Sequence, residues 1–151
     1  MKEFPVRKRL NHEIPQFIRD SVHFFFITLC ARHRGTKCLI EATVAQGLLN
    51  ATRHYHERDL WGCLILLIMP DHVHTILFGQ SVPSGTIQSF KRYTAREHSI
   101  SWEEGFFEHR LRDHRQVDHK LRYILENPVR AELVTEPDDW PFKICFPGPY
   151  S

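Results

Sequence analysis

Residues 61–78 constrain the fold more than any other stretch of this sequence. Trp61-Gly-Cys-Leu-Ile-Leu-Leu-Ile-Met69 holds no charged side chain. It is far shorter than the ~18 residues a membrane span needs. An apolar run of this length bounded by turn residues reads as a buried strand. Pro70-Asp71 is a turn signal. His72-Val-His-Thr-Ile-Leu-Phe78 follows as a second strand, so the two form a hairpin.

The flanking segments supply the rest of a repeating order. Residues 21–30, Ser-Val-His-Phe-Phe-Phe-Ile-Thr-Leu-Cys, are aromatic and β-branched and read as a strand. A polar loop at 32–36 leads to a helix over about 40–58, with Val44, Leu48, Leu49 and Thr52 on one face. After the hairpin, a loop over 79–85 precedes a helix over about 86–97, carrying Ile87, Phe90 and Tyr93 or Thr94 on one side. Residues 106–111 read as a short strand. Residues 116–126 read as a helix with Val117, Leu121 and Ile124 or Leu125 inward, interrupted by Asn127-Pro128. The tail over 143–151, with Pro147 and Pro149, reads as irregular.

This β-α-β-β-α-β order plus one further helix predicts an α+β fold. The split βαβ, ferredoxin-like sandwich places two helices on one face of an antiparallel sheet. The remaining helix, which carries Tyr123, is left to cover or flank the other face. A chain of 151 residues is expected to form one domain, with residues 1–20 as a basic arm.

No apolar stretch suits a signal core or a membrane span, so the expected location is the cytoplasm, with no membrane contact. Cys30, Cys38, Cys63 and Cys145 show no Cys-x-x-Cys spacing and are expected as free thiols. Net charge is only +2, but residues 1–40 carry 8 Lys/Arg against 3 Asp/Glu. That skew points toward a phosphate-rich partner.

Two short patterns carry chemistry. Strand side chains alternate faces, so His72 and His74 point one way and Val73 the other. Two imidazoles roughly 7 Å apart on one face can converge on one divalent ion. On its own, the pair could equally be half-exposed surface. His54 and His56 form another such pair, but on a predicted helix they diverge by about 200°. The second pattern is Tyr123 and Asn127, which share a face at i and i+4. A cation near the tyrosine oxygen favours its phenolate, a potential nucleophile. Alone, Tyr123 reads as a core aromatic and Asn127 as a helix-end residue before Pro128.

Taken together, these residues carry a resemblance. Met69-Pro-Asp-His-Val-His74, followed about 50 residues later by Tyr123-Ile-Leu-Glu-Asn-Pro-Val-Arg-Ala131, resembles the REP-associated tyrosine transposases of the HUH single-strand DNA endonuclease superfamily. Phe106-Phe-Glu-His-Arg-Leu-Arg-Asp113 and Asp139-Trp140-Pro141 also match that pattern, so the resemblance covers roughly residues 20–142. It implies that His72 and His74 hold Mg²⁺ or Mn²⁺, that Asn127 is the third ligand, and that Tyr123 is the nucleophile. The implied activity is endonuclease and strand-transfer chemistry on single-stranded or hairpin DNA through a 5′-phosphotyrosine. Arg7, Lys8, Arg9, Arg32, Arg34, Lys91, Arg92, Arg96, Arg110 and Arg112 are the candidate phosphate contacts. The expected state is a monomer, with a homodimer as the alternative.

Two other readings compete. One is a non-catalytic nucleic-acid-binding sheet stacking bases on Phe24, Phe26 and Phe106. The other is a metal-assisted hydrolase in which water is the nucleophile and Tyr123 is structural.

Overall fold

A computed structural model describes residues 22–149. Arg7, Lys8 and Arg9 lie outside the described residues. A five-stranded antiparallel sheet, in the order β4-β1-β3-β2-β5, sits at the centre. Its strands are β1 (His23–Cys30), β2 (Gly62–Ile68), β3 (His72–Gly79), β4 (Phe107–Leu111) and β5 (Lys143–Cys145). Three helices pack on it: α1 (Ala42–Glu57), α2 (Ser84–His98) and α3 (His114–Arg130). The first four strands and two helices follow the expected α+β split βαβ order.

Both faces of the sheet are covered. Phe25, Ile27, Leu29, Cys63, Leu66, Ile68, Val73 and Leu77 face α1 and α2, meeting Leu48, Tyr55, Ile87 and Phe90. Phe24, Phe26, Ile65, Leu67 and Ile76 face α3, meeting Val117, Leu121, Ile124, Leu125 and Trp140. This two-sided burial is why β2 is apolar at nearly every position rather than alternating. The ladder with β3 shifts register between Cys63 and Ile65. That irregularity puts Leu64 and Ile65 on the same, α3-facing layer.

Local chemistry sets the helix ends. The Glu41 carboxylate accepts the Val44 N–H at 3.2 Å and so caps α1. The Asp113 carboxylate accepts the Gln116 N–H at 2.8 Å and caps α3. Contrary to expectation, α3 does not stop at Asn127-Pro128 but runs to Arg130. Proline forfeits a single N–H, which would have bonded the carbonyl of Ile124. Burial of Pro128 and a well-formed helix end offset that loss. The Glu132 N–H donates to Val129 O and the Leu133 N–H to Pro128 O, both at 2.9 Å. This pair of bonds is a Schellman motif, and Glu132 occupies its left-handed position at φ 61°. A side chain costs about 1 kcal/mol there. Glu132→Gly is therefore expected to stabilise the protein by about 0.5–1 kcal/mol, read as a higher urea midpoint at unchanged slope.

The tail also departs from expectation. Residues 143–145 are not irregular but form β5, pairing Ile65 with Cys145 and Leu67 with Lys143. Trp140 Nε1 donates to the Ile68 carbonyl at 2.9 Å, and the Ile68 N–H returns a bond to Phe142 O at 2.8 Å. Three residues without alternation carry no strand signal of their own, and only the open edge of β2 makes them one. No helix among the described residues is long and apolar enough to cross a membrane. Cys30, Cys38, Cys63 and Cys145 form no disulfide among the described residues.

Candidate active site

The paired histidines stand near the start of β3, beside the turn that closes the hairpin. His74 is opposite Thr28 of β1 and Leu67 of β2, so its ring faces the α3 side of the sheet. His72, two residues earlier, shares that face. Their ring centroids are 4.7 Å apart. Each ring is held through Nδ1. His72 Nδ1 donates to Asp71 Oδ1 at 2.8 Å, and His74 Nδ1 lies 3.0 Å from Thr28 Oγ1. This leaves Nε2 as the nitrogen each ring can offer a cation, the arrangement in which outer partners orient metal-binding imidazoles.

Asp71 is itself fixed from the outside. Its Oδ2 accepts the Gly35 N–H at 2.8 Å and the Arg34 Nε–H at 3.1 Å. Burial opposes ionisation, but the bonds from Gly35, His72 and Arg34 outweigh it and bring the carboxyl down to about 2. Asp71 is therefore ionised at neutral pH and accepts the hydrogen bond from His72 Nδ1–H. A depressed carboxyl contributes its stabilisation above the unfolded value of 3.8. That stabilisation is lost as pH falls from about 4 toward 2. His74 is buried, and burial, then the charges of His72, Lys120 and Arg130, push it down to about 3. Its ring is thus neutral at physiological pH, the form that binds a cation.

Tyr123 approaches from the opposite layer. Its ring centroid is 6.5 Å from that of His74. The side chain is 41% exposed and is not locked into the apolar interior. Buried Leu121, Ile124 and Leu125 on the same helix hold the backbone against the sheet. Two cations flank the ring. Lys120 Nζ is 4.7 Å from its centroid and Arg130 Cζ is 4.1 Å away. Arg130 also donates to the Tyr123 carbonyl at 2.6 Å. Asn127 is half-buried and lies one turn on from Tyr123, on the same side of α3. Among the described residues no three His, Cys, Asp or Glu side chains cluster to hold a metal.

The candidate phosphate contacts are less unified. Lys91 is a correction. It is buried, and its ammonium donates to the Glu103 and Gly105 carbonyls at 2.8 and 2.5 Å, fixing that loop rather than facing a ligand. Arg34 is engaged with Asp71, and Arg32 donates to Trp102 O at 3.4 Å. Arg92 and Arg96 are exposed on α2, behind the sheet. Arg110 contacts His23 Nδ1 at 2.9 Å, and Arg112 is exposed just before α3. The stacking candidates are corrected too. Phe24 and Phe26 are buried beneath α3, and Phe106 is half-buried against the other core. The positions overlooked in the sequence are Lys120 and Arg130, which helical spacing from Tyr123 would have revealed. Thr28 was also missed, and only the β1–β3 register could have supplied it.

No protein-family model matches the chain. A REP-associated tyrosine transposase from Escherichia coli is 27% identical over 134 residues, covering 83% of this chain and 77% of that protein. A Haemophilus influenzae protein named for the same group is 25% identical over 145 residues, covering 83% and 80%. A solved structure of a REP-associated tyrosine transposase bound to a REP hairpin superposes with a TM-score of 0.69 at 25% identity. That match covers 95% of this chain and 82% of the other. In sequence and in fold alike, the chain is similar to the REP-associated tyrosine transposases.

Proposed function

We propose that this protein is a metal-dependent endonuclease and strand transferase acting on single-stranded or hairpin DNA through a phosphotyrosine intermediate. The observation that carries the reading is the meeting of an exposed helix tyrosine with two oriented imidazoles on one face of the sheet. The relatives' names and the hairpin bound to the solved neighbour support the substrate class.

The side chains fit a Mg²⁺ or Mn²⁺ ion held by His72 and His74, with Asn127 as a further ligand. Two imidazoles suit Mn²⁺ better than Mg²⁺, which prefers oxygen. Such an ion, when bound, supplies positive charge that polarises the scissile phosphate. The Tyr123 oxygen attacks phosphorus, and its bond to phosphorus forms as the bond to the 3′ oxygen breaks. The phenol proton passes to water, and the departing oxygen takes up a proton to become a 3′-hydroxyl. The 5′ end stays attached to Tyr123. Attack by a second 3′-hydroxyl reverses the step and joins a new strand. Lys120 and Arg130 add positive potential where the phosphate must arrive.

A labelled hairpin with an unpaired tail is expected to give a protein–DNA adduct that survives denaturation in the presence of Mn²⁺ and disappears with chelator. Cleavage without an adduct would instead mean that water is the nucleophile. Asp71→Ala is expected to weaken Mn²⁺ affinity about 10- to 100-fold, because His72 loses the partner that fixes its tautomer and orientation. A Mn²⁺ titration followed by paramagnetic line broadening checks this, with unchanged affinity refuting the orienting role.

A further inference from the structure

Phe107 is 61% exposed, the highest value among the exposed large apolar side chains of the described residues. It lies on edge strand β4 directly opposite Thr28, the residue that holds His74. Directly opposed residues of an antiparallel pair project to the same face. Phe107 therefore stands on the His72, His74 and Tyr123 side of the sheet. His74 is two strand spacings away, about 10 Å across the sheet. Leu111, on the same face at the other end of β4, is buried under α3, whereas Phe107 stays open.

Between β4 and α3 runs an open groove of about 730 Å³, with His109 on the strand side and Arg115, His119, Lys120 and Arg122 on the helix side. Its two carboxylates, Asp118 and the α3-capping Asp113, oppose the three cations Arg115, Lys120 and Arg122, so the groove keeps a net positive charge. The groove meets the candidate active site through Lys120, which contacts the Tyr123 ring. A cationic channel beside an exposed aromatic matches the chemistry of an unpaired polynucleotide, whose charged backbone follows the channel while a base face stacks on the ring. An acidic peptide would use the cations but leave the aromatic without a planar partner. Paired bases hide the faces the ring would need.

Resting on the proposed DNA-processing role, we infer that Phe107 is a base-stacking platform for the unpaired strand next to the reacting phosphate. Arg115 and Arg122 hold the backbone of that strand along the β4–α3 groove. The occupant is single-stranded DNA contiguous with the hairpin.

The test measures binding of two fluorescent DNAs, a blunt hairpin and the same hairpin with an unpaired tail. Phe107→Ala is expected to weaken the tailed DNA about 5- to 150-fold, the loss of one stacked base, with the blunt hairpin unaffected. Phe107→Trp is expected to restore tailed binding. Arg115→Gln combined with Arg122→Gln is expected to lower the salt slope for the tailed DNA by about 1.4, from about 0.7 per phosphate contact on a single strand. Equal loss for both DNAs, or no loss for either, overturns the platform. So does a change confined to oligomeric state, which would mark Phe107 as a self-association patch. Wild-type protein that binds the tail through Phe107 yet forms no adduct sustains the platform and refutes the phosphotyrosine mechanism, so the two failures are separable.

Discussion

Tyr123→Phe is expected to abolish the denaturation-resistant adduct, lowering its rate of formation by at least about 10³-fold, while hairpin binding stays at the wild-type level. Removal of a nucleophile is among the costliest single changes an active site can suffer. The substitution deletes one oxygen and keeps the ring, so Lys120 and Arg130 retain their contacts with it. Because the side chain is 41% exposed, the stability change should stay within about 0.5 kcal/mol. A single-turnover assay on a gel, run beside an equilibrium binding titration, separates chemistry from affinity. Adduct persisting in the phenylalanine variant would send the covalent role to another residue. Strand cleavage persisting without adduct would leave the metal-assisted hydrolase as the better account.

The largest expected stability effect lies in the tail. Trp140 is buried, packs on Phe142 at a centroid distance of 5.1 Å, and forms part of the core beneath α3 with Ile124 and Leu125. Trp140→Ala is expected to cost about 3–5 kcal/mol. That is a large share of the roughly 5–15 kcal/mol that holds a domain together. Trp140→Phe keeps most of the packing but leaves the Ile68 carbonyl without its indole donor, costing about 1–3 kcal/mol. Urea titrations order the three proteins. The alanine variant should also slow adduct formation, since α3 loses part of the floor that sets the height of Tyr123 above His74. A variant as stable as wild type would show that β5 and its approach do not support the helix.

The elements legible in the sequence were those whose pattern is local. Aromatic and β-branched runs, a continuous apolar run and turn residues located four strands, helical spacing located three helices, and from their order came the expected sandwich. The same period-two argument put His72 and His74 on one face, and the i, i+4 argument put Asn127 near Tyr123. What escaped depends on partners distant along the chain. β5 exists because β2 presents an edge, and Pro128 stays helical because its neighbours bury it and the Schellman end completes the turn. Lys91 looks like any surface cation until the loop carbonyls of Glu103 and Gly105 close around it. Phe24 and Phe26 alternate correctly within a strand, but nothing local says that α3 will cover them. Phe106 and Phe107 are adjacent and chemically identical, and only the sheet register decides which one meets solvent.

The two halves of the candidate site differ in mechanical character. The imidazoles stand on β3, laddered to β1 on one side and β2 on the other. The phenol rides on α3, whose hold on the sheet comes from side-chain packing rather than a shared ladder. Amide protons of β3 should therefore exchange with solvent only when the whole molecule opens, while those of α3 exchange through a smaller excursion of that helix. A rigid anvil and a separately mounted hammer suit the proposed chemistry, in which the tyrosine would carry a strand end away and bring it back.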